Sequence, residues 1–141
     1  DVASSFSLNG GGAWLPGGPW STPGRESVYS YTAPVSGSYD INVTSNGSYV
    51  DLFYKSNSCS SSGWSYIDDI YSSGTNSVTL SAGVTYLFLI DDENTSASSG
   101  TILINCPTSI PNPVPVLPIS AMLLFAYTTP FINDNVNALE T

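Results

Sequence analysis

Histidine is absent from this 141-residue chain, and its basic side chains are reduced to Arg25 and Lys55. Without histidine no Ser-His-Asp or Cys-His arrangement can be assembled, and the abundant serines have no evident base to activate them. Zinc requires several Cys or His ligands, which Cys59 and Cys106 alone do not supply. Paired carboxylates could in principle hydrolyse a glycosidic bond, but that chemistry also needs a walled cleft, hard to build in a domain this small. The chain therefore reads as a non-enzyme. Eleven acidic residues against two basic ones leave a formal charge of −9, which repels phosphate backbones and argues against nucleic acid as a partner.

Long apolar runs are also scarce. The longest is broken by Pro113, Pro115, Pro118 and Pro130. Its proline-free part, Ile119 to Tyr127, falls far short of the roughly 20 residues that cross a bilayer, so no membrane span is expected. Charged residues make up 9% of the chain, against roughly 25% in an average soluble protein, and Ser, Thr, Gly, Asn and Tyr fill the polar positions instead. That palette suits an extracellular or cell-surface protein. A chain beginning at Asp1 with no methionine reads as a processed, exported product. Three glycosylation sequons begin at Asn42, Asn46 and Asn94. In an exported chain, Cys59 and Cys106 are expected to pair as a disulfide, with two buried thiols as the alternative.

What the chain does contain is short alternating runs separated by Gly, Pro, Asn and Ser. They are SVYSYT (27–32), SYDINVT (38–44), YVDLFYKS (49–56), NSVTL (76–80), VTYLFLID (84–91) and GTILIN (100–105). Period-2 spacing puts Tyr39, Ile41 and Val43 on one face, and likewise Val50, Leu52 and Tyr54. VTYLFLI is apolar on both faces and is expected to lie centrally. No capped 3.6-residue pattern is present. The expected fold is all-β, an antiparallel jelly-roll-like β-sandwich. It falls into three parts: a Gly/Pro-rich N-terminal segment (1–26) pinned by Trp14 and Trp20, the sandwich (27–106), and a Pro-rich arm ending in an apolar strand (107–141).

In order along the chain, VYSYTAPVSGSYDINV, VDLFYKSNSC, LSAGVTYLFLIDDEN and SGTILINC resemble the pattern of the bacterial pre-peptidase C-terminal (PPC) domain. This family is a small β-sandwich appended to secreted proteases and many surface proteins. The resemblance spans about residues 27–106 and implies an extracellular accessory module without catalysis. Some members of the family bind calcium through acidic loops.

Two further features carry functional expectations. Acidic residues cluster at Asp68-Asp69 and at Asp91-Asp92-Glu93, with Asp51 inside a strand; hard oxygen ligands on loops are what calcium requires, and Asp91, Asp92 and Glu93 are the candidate ligands. Solvated carboxylates are the plainer reading of the same residues, and the chain otherwise calls for no cofactor. Trp14, Trp20, Trp64, Tyr66 and Tyr71 are candidates for stacking on a glycan, although Trp among Gly and Pro more commonly pins a loop. In the tail, Leu117, Ile119, Ala121, Leu123, Phe125 and Tyr127 form one apolar face of an extended strand. The preceding prolines stiffen the chain into a semi-rigid arm. An alternating strand on such an arm fits insertion into the sheet of a neighbouring copy, which propagates head to tail into a homopolymeric filament, with the last strand of the chain's own sandwich as the alternative. The leading expectation is thus a structural filament subunit; the alternative is a carbohydrate- or calcium-binding accessory module.

Overall fold

A computed structural model describes residues 1–14, 16–56 and 58–107. Among these residues six strands build the fold: β1 (Val2–Leu8), β2 (Glu26–Thr32), β3 (Gly37–Ser56), β4 (Ser65–Leu80), β5 (Thr85–Asp92) and β6 (Ser98–Asn105). All pairings are antiparallel, in the order β1-β6-β3-β5-β2, with β4 on the other edge of β3. The architecture is the expected all-β antiparallel sandwich, curled nearly into a barrel. Among the described residues no helix is long and apolar enough to cross a membrane.

Strand β3 organises everything else. Its first half (Asp40–Ser45) pairs with β6 and its second half (Val50–Ser56) with β5, while β4 follows it along both halves. The changeover lies between Thr44 and Tyr49, where four residues of β3 face one residue of β4, Ser72. Gly47 (φ +89°) and Ser72 (φ +68°) both adopt the left-handed conformation there. Ser45 ties the bend together: its Oγ donates to the Ser48 carbonyl (2.6 Å) and accepts from the Ser72 amide (3.2 Å). Three extra residues, an odd number, invert the alternation. Odd positions Tyr39, Ile41 and Val43 point into the core before the bend, and even positions Val50 and Leu52 after it; all five are fully buried.

The inward faces enclose one core of Phe6, Leu8, Tyr39, Ile41, Leu52, Phe88, Ile90 and their neighbours. A smaller apolar cluster of Phe53, Trp64, Leu87 and Leu89 occupies the outer face of the β3–β5 half-sheet, with Trp14 and Val28 packed against it. Leu87, Phe88, Leu89 and Ile90 are all buried, so β5 is central and covered on both sides, as its sequence implies.

Several expectations are corrected. The lead-in before residue 26, expected to be irregular, contains β1, which pairs with β6 from Val2↔Ile104 to Leu8↔Ser98. Its signal is weak because one of its four inward positions is Ser4. Strand β4 begins at Ser65 rather than near Asn76, because its polar stretch from Ser72 to Ser77 hides the alternation. Cys59 and Cys106 form no disulfide: Cys106 follows Asn105, which pairs with Asp40 at the start of β3, whereas Cys59 lies beyond the far end of β3 at Ser56. A bridge needs Cα atoms within about 7 Å, which the length of β3 forbids. The Cys106 Sγ instead sits 3.6 Å from Tyr31 Oη and 3.7 Å from the Asp1 ammonium, and Cys59 is exposed. The hydrogen bond with Tyr31 holds the Cys106 thiol below its usual range. The C-terminal positions Leu117, Ile119, Ala121, Leu123, Phe125 and Tyr127 lie outside the described residues.

Candidate cation site

Inverting the alternation in β3 places Asp51, Phe53 and Lys55 on the outer face. There Asp51 pairs with Asp69 on β4 and with Asp91 on β5, and Asp91 pairs in turn with Glu26 on β2. Four carboxylates therefore lie in one row across four adjacent strands, Asp69–Asp51–Asp91–Glu26. Directly opposed residues in an antiparallel ladder have Cβ atoms about 4.5–5.5 Å apart, and like charges so placed repel.

The row is also covered. The chain between β1 and β2 passes over it, and a Cβ at Gly18 would lie 2.8 Å from Phe53 Cζ and 3.0 Å from Asp51 Oδ2, so only glycine allows this approach. Backbone bonds fasten the same segment to the β5–β6 turn: the Gly24 amide donates to the Asp92 carbonyl (2.9 Å) and the Gly10 amide to that of Thr95 (3.2 Å). Thr22 Oγ1 donates to Asp91 Oδ2 (2.9 Å). Asp51 and Asp91 are both completely buried.

Among the described residues Asp51 accepts no hydrogen bond on either oxygen, and Glu93 Oε1, Asp69 Oδ1 and Asp91 Oδ1 are likewise buried and unpartnered. Burial, reinforced by Glu93 and Asp69, pushes the Asp51 carboxyl up to about 7. Asp91 is also raised to about 7, by burial, with the Thr22 hydrogen bond opposing the shift and Glu26 adding to it. Burial and then Asp68 raise Asp69; burial and then Asp69 raise Glu93. Lys55 does not relieve this row: its ammonium is committed to the Ser60 and Ser62 carbonyls (2.9 and 2.8 Å) and lies 4.3 Å from the centre of the Trp64 ring.

One carboxylate oxygen each from Asp51, Asp69 and Glu93 lies within 4.8 Å of the other two. Oxygens bound to one calcium ion at 2.3–2.6 Å can be no further apart than about 5 Å, so the three fit a single such ion. Of the expected ligands only Glu93 belongs to this group. Asp92 is instead satisfied by its surroundings, accepting from Ser48 Oγ, the Asn94 amide and Ser98 Oγ. Asp91 stands beside the group in the carboxylate row, held by Thr22. The sequence marks Asp51 as the odd residue out, a lone carboxylate in the apolar run YVDLF, but the partners assembled around it are set by strand register.

Trp20, Tyr49, Asp69 and Glu93 line a pocket of about 240 Å3 beside this group. Trp20 is 58% exposed and Tyr49 45%, and Tyr71 packs against Tyr49 with ring centroids 4.7 Å apart. The other candidate stacking residues divide. Trp14 and Trp64 pack together at 6.0 Å, and Trp64 Nε1 donates to the Ser60 carbonyl (2.9 Å), so both pin loops onto the outer face. Tyr66 lies edge-on to Phe53 at 5.5 Å, and burial with the nearby Asp51 pushes its phenol up to about 12. Among the sequons, Asn46 and Asn94 are exposed, whereas Asn42 is half-buried in β3 and accepts from Thr75 Oγ1 (2.6 Å). Comparison with protein-family models, with curated proteins and with solved structures returns no match for this chain.

Proposed function

We propose that this chain is an extracellular accessory module, of the kind its PPC-like pattern implies, whose β-sandwich holds a divalent cation between Asp51, Asp69 and Glu93. One observation carries the reading: Asp51 is wholly buried and neither of its oxygens has a partner among the described residues. A buried, unpaired carboxylate beside like charges is expensive, and a cation removes that penalty for the whole cluster. An all-oxygen, all-carboxylate ligand set suits a hard ion; calcium, with flexible geometry and six to eight oxygens, tolerates three protein ligands completed by water or by a bound molecule. In that setting Asn46 and Asn94 are the acceptors open to glycosylation.

Calcium titration of chelator-treated protein, followed by thermal unfolding, tests the assignment. The melting temperature should rise with calcium and level off; at a hundredfold excess over Kd the gain is about 2.7 kcal/mol. Asp51→Asn should abolish the rise. No shift in the native chain at about 10 mM calcium, above the usual range of extracellular modules, would sink the reading.

A filament subunit is the second reading, favoured by the seam between β1 and β2. Among the described residues each of these strands pairs on one side only, β1 with β6 and β2 with β5. Between them runs a groove of about 280 Å3 lined by Val2, Ser4, Val28, Tyr29, Ile102 and Ile104, and Val2, on the inward face, is 48% exposed. An extended apolar strand from a neighbouring copy, residues 117–127, would pair with both edges and close the barrel.

A further inference from the structure

We infer that the pocket formed by Trp20 and Tyr49 binds a neutral saccharide, whose vicinal hydroxyls complete the coordination of the cation while the apolar face of its ring stacks on Trp20. The inference rests on the cation reading and names the ligand that reading leaves open. Three carboxylates do not fill the coordination shell of calcium, and two of them, Asp69 and Glu93, also line the pocket. The open positions of the ion therefore face the same space as the aromatic rings.

Ligand class follows from charge and shape. Three ligating carboxylates outnumber the two charges of the ion, and the chain carries −9 overall, so an acidic ligand is repelled. A polyol brings oxygens without charge. Trp20 is the most exposed large aromatic among the described residues, held out by a Gly-Gly-Pro lead-in (17–19) whose Gly18 is seated against Asp51 and Phe53. A ring so placed offers a flat apolar surface beside a source of directional polar contacts, the combination by which small-molecule sites fix orientation. A volume of about 240 Å3 accommodates a single sugar ring rather than an extended chain.

The full chain would be titrated with methyl α-mannoside, methyl α-fucoside and methyl β-galactoside, each bearing a cis-diol, with binding read by saturation-transfer NMR in calcium and again in EDTA. At least one glycoside should bind in calcium and lose binding in EDTA. Trp20→Ala should weaken that binding at least tenfold while leaving the calcium-induced rise in melting temperature intact; Asp51→Asn should remove both. If calcium stabilises the chain but none of the glycosides binds, or binding survives EDTA or the loss of Trp20, the saccharide inference is overturned and the cation reading stands. If calcium has no effect, both readings fall together.

Discussion

Asp51 sits between Val50 and Leu52, and the next outward positions of the strand, Phe53 and Lys55, carry apolar bulk and an ammonium held by the Ser60 and Ser62 carbonyls. Its carboxyl and that of Asp91 are each raised to about 7 in the folded chain, against roughly 3.9 when unfolded. Between those limits the native state binds more protons than the unfolded one. The stability these groups contribute is fully present below about pH 4 and is lost as pH rises through about 7. Melting temperature measured in EDTA should therefore fall from pH 4 to pH 8. Saturating calcium, which binds the deprotonated form, should remove most of that fall.

At the scale of the element, the bend in β3 decides which side chains reach the outer face. Gly47 supplies the left-handed residue it needs, and a Cβ there meets nothing closer than Tyr71 Oη at 3.8 Å. Gly47→Ala therefore adds backbone strain without a clash, and chemical denaturation should report a loss of about 1–2 kcal/mol. Deleting Gly47 outright would be worse, because an even number of extra residues would turn Asp51 and Phe53 into the core and Val50 and Leu52 out of it. The N-terminal segment is a second element with a local rationale: its glycines read as loop composition in the sequence, but Gly18 and Gly24 are glycine because backbone and side-chain atoms of the sandwich lie where a Cβ would stand.

At the largest scale, the antiparallel order leaves β1 and β2, among the described residues, as edges running in the same direction, with a groove between them. One inserted antiparallel strand would satisfy both. If residues 117–127 serve that purpose between copies, truncation after Pro115 should give a soluble monomer that keeps its calcium response, judged by negative-stain microscopy and sedimentation. Filaments persisting in the truncated chain would exclude strand exchange as the joint. The grouped carboxylates lie on β3, β4 and just beyond β5 and the seam on β1, β2 and β6, so the two experiments are independent.

Local chemistry in the sequence determined the class of fold: strand-favouring residues at period two, turn residues between them and no helical pattern suffice for an antiparallel sandwich with β5 at its centre. It also determined the supply of acids and the lack of histidine, and with them the kinds of chemistry open to the chain. Tertiary structure decided which acids meet. Alternation is a property of neighbours along the chain, whereas the row Asp69–Asp51–Asp91–Glu26 depends on the register of four strands and on three extra residues in β3. The same non-local geometry set Cys59 and Cys106 beyond opposite ends of one strand and grouped Asp51 and Asp69, rather than Asp91 and Asp92, with Glu93.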